Sequence, residues 1–356
     1  MKHFEQVHQL VRQGLEQGAY PAAALAVGMG DRVYLKRTYG SCTENTLFDM
    51  ASVSKIIAPT MIALRFLEEG LLRLYDTVAD FFPDAPEDKK SITILQLMTH
   101  TGGFAAHFYI SDFTDDPADA ARVVLNHPLA QAPGGDPVYS CMGYILLGKI
   151  LEKVSGLPLD ALAKKYVFDP LGMDHTTFHP SGDIAPTERD PATGALLQGV
   201  VHDENARFLG GISANAGVFS DLNDMIRFTR MLSLNGRLPD GRFYLSPATM
   251  QAALINRTPD SRGEFRGLGF NLAHSPRNFL GDLMSRHAYG HTGFTGTSIA
   301  LDPGTGLWVV LMTNRVCPTR ANTQLVRMRS LIHNAAAAEA GRLAAETLSQ
   351  TGAPLL

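Results

Sequence analysis

Cysteine is scarce in this 356-residue chain, with Cys42, Cys141 and Cys317 the only three. Their odd number and wide spacing match neither a zinc site nor a disulfide framework, so free thiols in a reducing compartment are expected. Long apolar runs are missing too, and no stretch approaches the roughly 20 apolar residues that cross a bilayer. The N-terminal segment MKHFEQVHQLVRQGLEQG sets Phe4, Val7, Val11 and Leu15 at helical spacing among charges. It reads as a surface helix and not a signal peptide, and a cytoplasmic location is expected. Charge of one sign accumulates nowhere. The 31 Lys and Arg against 35 Asp and Glu leave −4, with no basic run to form a groove for nucleic acid or a face for an anionic membrane. Repeats, low-complexity tracts and flexible linkers are absent. So are H-E-x-x-H, the P-loop and G-x-G-x-x-G, and neither a metal nor a cofactor is expected. The missing G-x-S-x-G excludes the strand-turn-helix elbow as the source of a serine nucleophile.

What remains is an ordinary globular composition, 45% apolar and 19% charged. The length exceeds what one hydrophobic core usually serves, which predicts two lobes or a core with a large insertion. After the first helix, residues 22–27 and 32–38 are β-prone runs joined by Gly28-Met29-Gly30-Asp31, a hairpin signal. Residues 297–301 and 307–313 flank Asp302-Pro303-Gly304-Thr305-Gly306, a second hairpin. A long closing helix is predicted over 321–349, where Leu325, Met328, Leu331 and Ile332 recur at helical intervals. The middle reads as helical over 57–72, 93–98, 119–125, 144–155, 159–166 and 222–234, with Gly and Pro loops between. The loop over 178–191 has little apolar content and is placed on the surface. The fold class is therefore α/β (α+β): an antiparallel sheet flanked by N- and C-terminal helices, with a large, mainly helical inserted lobe. Residues 1–60 and 265–356 are expected to form the sheet lobe and 61–264 the helical one.

Ser52-Val53-Ser54-Lys55 is the one S-x-x-K in the sequence, and it opens the apolar run at residues 56–67. On a helix, a spacing of three brings Lys55 to the face of Ser52, close enough to take or share its proton. An amine buried among apolar neighbours gives up its proton more readily. The helix N-terminus adds backbone N–H groups and a positive dipole for a developing oxyanion. Taken alone, a helix-capping serine followed by a solvated lysine satisfies the same pattern, which chance supplies about once in a chain this long. Tyr139-Ser140-Cys141 lies between the turn Pro133-Gly134-Gly135-Asp136-Pro137 and a helix over 143–155, on a loop where the phenol can face a cleft or simply pack its ring. His291-Thr292-Gly293 leads to the strand at Thr297, where glycine permits close approach of backbone to a ligand, or forms only a turn.

In this order and at these separations, the three pieces resemble the serine β-lactamase and penicillin-binding protein superfamily, whose signature is S-x-x-K, Y-x-N, then K-T-G or H-T-G. Leu97-Met98-Thr99-His100-Thr101-Gly102-Gly103 is similar to the family's L-L-T-H-T-S-G segment. Gly210-Gly211-Ile212-Ser213-Ala214-Asn215-Ala216-Gly217-Val218-Phe219-Ser220 is similar to the G-G-x-x-x-x-A-G-L-F-S segment of its class C-like branch. The resemblance covers the chain from about residue 20 to residue 314 and implies a fold in which the site lies in a cleft between an α/β lobe and a helical lobe. It implies Ser52 as nucleophile, Lys55 with Tyr139 as proton-transfer pair and His291 as an electropositive neighbour. It also implies an oxyanion hole from the backbone N–H groups of Ser52 and Phe294, with Thr292 and Gly293 bordering the substrate.

The sequence departs from the pattern at Cys141, where the family usually carries the Asn that holds the acyl-side amide of penicillins and peptides. A thiol cannot reproduce a carboxamide's hydrogen bonds. That loss, with the missing export signal, favours a carboxylesterase on small esters over a D-amino-acid amide or peptide hydrolase, with β-lactamase third. From a different class, a catalytically feeble binding or scaffold protein is the alternative. The expected partner is a small ester or amide substrate. His202-Asp203-Glu204-Asn205 are read as a loop at the cleft rim and not as a metal site, because adjacent residues rarely converge on one ion. His100 is read as bracing a turn, and Pro59 as kinking the helix after Lys55.

Overall fold

The computed structural model describes residues 3–258, 264–273 and 279–351. Among the described residues eight strands are formed, in chain order β1 (Ala22–Met29), β2 (Arg32–Gly40), β3 (Phe48–Asp49), β4 (Phe219–Ser220), β5 (Asn271–Leu272), β6 (Tyr289–Thr292), β7 (Ser298–Asp302) and β8 (Leu307–Thr313). Six of them build one antiparallel sheet in the order β2-β1-β8-β7-β6-β5, and β3 pairs with β4 apart from it. Strands from the two ends of the sequence are thus neighbours at the sheet centre, where β1 runs antiparallel to β8.

The sheet separates two apolar cores, and the period-2 alternation of β1 and β8 feeds both. Ala22, Ala24 and Ala26 join Trp308, Val310 and Met312 on one face, whereas Ala23, Leu25 and Val27 join Val309 and Leu311 on the other. The second face is covered by α1 (Glu5–Glu16), through Val7 and Val11, and by a long C-terminal helix, through Leu325, Ile332 and Ala336. The first face meets the middle of the chain, including α2 (Met61–Glu68), α3 (Cys141–Ser155) and α4 (Leu222–Ser233). We label the C-terminal helix, Gln324–Thr351, α5. Caps explain where the middle helices begin. The Ser140 hydroxyl accepts the Gly143 N–H at 3.2 Å, and the Asp221 carboxylate accepts the Asp224 N–H at 2.8 Å.

Several local readings need correction. Gly28 lies within β1 at a register shift and not in the hairpin turn. A Cβ there would stand 2.1 Å from the Trp308 ring, so the glycine makes room for the indole, whose Nε1–H donates to the Gly30 carbonyl at 2.9 Å. The kink expected at Pro59 is taken up by a π-helical turn, Ile56–Thr60, whose wider spacing accommodates the ring before α2 starts. The loop 178–191 is not wholly superficial, because it buries Phe178, Ile184, Ala185 and Glu188. Helices at Glu204–Phe208 and Pro247–Leu254, and the short strands β3, β4 and β5, were not anticipated. Among the described residues no helix is long and apolar enough to cross a membrane, and no group of three or more His, Cys, Asp or Glu is placed to hold a metal. All three cysteines are free.

Candidate active site

The Ser52 turn is built under tension. Ser52 lies in a single 3₁₀ turn, Ala51–Val53, and Ala51 before it has φ of +46°, a conformation that costs a side-chain-bearing residue about 1–2 kcal/mol. The buried Asp49 carboxylate holds it there by accepting the Ala51 N–H at 2.8 Å and the His202 N–H at 2.7 Å. One turn on, the buried Lys55 Nζ donates to Ser52 Oγ at 3.1 Å, to the Asn215 carbonyl at 2.8 Å and to Cys141 Sγ at 3.7 Å.

The charge of Lys55 differs from the expectation. Burial does push the amine down, but the neighbouring Cys141 and Tyr139, with Asp203, outweigh it and raise its pKa, so Lys55 is an ammonium in the resting site.

Tyr139 is carried by a loop that His100 fixes. His100 Nδ1 accepts the Ser140 N–H at 3.0 Å, and its carbonyl accepts the Val138 N–H at 2.9 Å. Its ring packs 4.5 Å from that of Tyr139, and burial, with Arg266 and Lys55 nearby, holds it well below the usual histidine range. The Tyr139 ring lies 4.9 Å from Lys55 Nζ and 5.3 Å from the Arg266 guanidinium, and its hydroxyl is turned to the Lys55 ammonium.

His291 sits within β6 itself and not in an approach to a later strand. Its Nδ1 is 2.8 Å from the Thr292 carbonyl, which makes Nδ1 the protonated nitrogen and leaves the buried Nε2 as an acceptor without a partner. Burial first, then Lys55 and Arg266, push its pKa down to about 3. His291 is therefore neutral near pH 7, not electropositive. The additional cation near it is Arg266, only 6% exposed, which the sequence reading missed. Nothing local marks Arg266, since it reaches the site from a bridge to Asn271 beside β5.

The turn after His291 is tied to the Ser52 turn. The Thr295 hydroxyl donates to the Asp49 carbonyl at 2.7 Å, and the Thr297 hydroxyl to the Met50 carbonyl at 3.0 Å. A Cβ on Gly293 would stand 2.2 Å from Thr297 Oγ1 and 2.5 Å from the Met50 carbonyl, so the approach needs glycine. These bonds set the backbone of Ser52 and that of Phe294 on two braced turns. The Phe294 ring, 49% exposed, lies among His202, Arg315 and Arg320. His202 is buried, and its Nε2 is 3.0 Å from Glu188, which also pairs with Arg320. Asp203 caps the helix that Glu204 opens and accepts from the Asn215 side chain at 3.0 Å, so 202–205 is a structural brace beside the site.

Cys141 stands at the first position of α3. Burial opposes its thiolate, yet Lys55 and the His107 imidazole outweigh burial and lower the thiol pKa. Asn215, whose carbonyl holds Lys55, lies in the Gly210–Ser220 motif and was legible there as a segment without a role.

A family model described as Beta-lactamase matches residues 7–331. An Escherichia coli K12 protein named "Putative D-alanyl-D-alanine carboxypeptidase" is 27% identical over 88% of this chain and 83% of its own. A Bacillus subtilis protein named N-acetylmuramyl-L-alanine amidase is 29% identical over 88% and 81%. Among solved structures, EstCE1, described as a hydrolase with promiscuous acyltransferase activity, superposes with a TM-score of 0.75 at 22% identity over 94% of this chain and 98% of that one. That likeness carries the fold. With the family model spanning nearly all of it, the chain belongs to the beta-lactamase family of serine hydrolases.

Proposed function

We propose that the protein is an acyl hydrolase that forms a covalent ester on Ser52 and prefers small carboxylic esters. The observation that carries this reading is the Lys55 ammonium bonded at once to Ser52 Oγ, to the Asn215 carbonyl and to the Cys141 sulfur. Ser52 Oγ attacks the ester carbonyl, and its proton passes to the Lys55–Tyr139 pair. Because Lys55 is already charged, it takes the Ser52 proton only as one of its own passes to the Tyr139 oxygen, whose hydroxyl proton goes on to the leaving alkoxide. The N–H groups of Ser52 and Phe294 receive the oxyanion. The alcohol leaves with the proton, and water then releases the acid by the reverse path. His291, neutral, offers Nε2 as an acceptor rather than a charge. Thr292 and Gly293 border the acyl group.

The preference for esters rests on Cys141. The names of the two relatives favour a second reading, amide hydrolysis, with D-alanyl amides the class that the carboxypeptidase name points to, and a carboxamide at 141 is what such a substrate would use. Cys141→Asn is expected to raise kcat/KM for a D-alanyl amide or a β-lactam roughly two- to tenfold, the worth of one regained neutral hydrogen bond, with little change on p-nitrophenyl butyrate. Efficient amide or β-lactam hydrolysis by the wild type would reverse the ranking. A fall of both rates together would show overpacking of the Tyr139 loop and remove Cys141 from the specificity argument.

A further inference from the structure

The Cys141 sulfur has surroundings unlike those of the other two thiols. Its Sγ is 3.7 Å from Lys55 Nζ, and it opens a 15-residue helix whose N-terminus favours negative charge. The imidazole of His107 lies beside it on an exposed loop, and hydrogen bonding to the thiol raises the pKa of that ring. Cys141 keeps partial exposure. Beside the same Lys55 lies the Tyr139 ring, 4.9 Å from Nζ, and 6.0 Å from that ring lies the ring of His291, a residue 2% exposed whose Nε2 has no partner. Cys42, by contrast, bonds the Ala23 and Tyr39 carbonyls at 3.2 and 3.4 Å, and burial raises its pKa, as it does that of Cys317. Three groups of different chemistry thus converge on one sulfur, inside the site and next to the nucleophile's lysine.

We propose that Cys141 is a covalent modification site for low-molecular-weight disulfides, and that its occupation shuts the Ser52 site. The Cys141 thiolate attacks one sulfur of the small disulfide, whose S–S bond breaks as the new one forms. Cys141 is oxidised to a mixed disulfide, and the other half leaves as a thiolate that takes a proton from water. The attached group stands beside Lys55 and Ser52, and the thiol that lines the Lys55 amine is gone. A thiol reductant restores both. The claim that the site closes rests on the Ser52 reading, but the chemistry at Cys141 does not.

The test uses glutathione disulfide as the probe, on the wild type and on a Cys42→Ser/Cys317→Ser variant. Peptide mapping by mass is expected to find the adduct at Cys141 ahead of Cys42 and Cys317, with a pH–rate midpoint below the ordinary thiol value of about 8.5. Ester turnover should fall in step with the adduct and return with dithiothreitol, and prior phosphonylation of Ser52 by a fluorophosphonate should slow the reaction at Cys141. No adduct at Cys141, modification of the other cysteines at the same rate, or a midpoint at or above the ordinary value overturns the site. A full adduct with undiminished turnover overturns the closure alone. If the protein turns over no ester at all, the Ser52 reading fails while the mass and pH readouts still decide the thiol chemistry.

Discussion

Residue by residue, the site is a set of charges placed so that few of them need solvent. Lys55 and Arg266 supply positive charge, the Cys141 sulfur and the Tyr139 ring lie against Lys55, and burial with those two cations keeps His291 neutral. A neutral buried histidine leaves a trace in stability. The folded protein keeps His291 unprotonated down to about pH 3, and His333, also buried, down to about 4, while the unfolded chain takes up those protons near 6.5. Between those limits the unfolded state binds more protons, so this part of the stability is complete above about 6.5 and is lost as pH falls below it. The melting temperature is expected to drop between pH 7.5 and 5, and His291→Asn should flatten that slope. An unchanged slope in the variant would mean that His291 is charged in the fold. His291→Lys, the change that the K-T-G form of the family signature suggests, would bury a third cation beside Lys55 and Arg266.

Among the elements, the two braced turns matter most. Gly293→Ala must displace either Thr297 or the Met50 carbonyl, and both belong to the contact that sets the Ser52 turn against Phe294. The variant is expected to lose about 1–3 kcal/mol of stability and at least tenfold in kcat, read by thermal melting and ester turnover. Wild-type kcat in a folded variant would separate the turn from the chemistry. This contact also marks the limit of what the sequence discloses. The strands at 22–40 and 298–313 were legible because turn residues and alternation bound them, and Ser52, Lys55 and Tyr139 because their motifs are short and ordered. The β3–β4 pair was not, since two-residue strands have no period to detect. The residues of β6 read as an approach to a later strand because the element is four residues long and holds a glycine. Arg266, the Asn215 carbonyl and the charge of Lys55 depend on contacts between residues far apart in the sequence, 86 positions for Lys55 with Cys141 and 160 for Lys55 with Asn215, and burial alone predicted the wrong sign for that lysine.

For the whole molecule, one sheet serves two cores, and the sole tryptophan stands on it. Trp308 is fully buried, on the face toward the middle helices, while its neighbours Leu307 and Val309 face α1 and α5. Strands shared between cores couple their unfolding. Trp308 fluorescence and far-ultraviolet circular dichroism are expected to trace one coincident denaturant transition, and two separated midpoints would show that the cores unfold independently. The central claim, that Ser52 is the nucleophile, meets its most direct test in intact-mass analysis after treatment with a fluorophosphonate. The wild type should gain one adduct, mapped to Ser52, and Ser52→Ala should gain none. Equal labelling of the Ser52→Ala protein, or an adduct on another residue, would contradict the account.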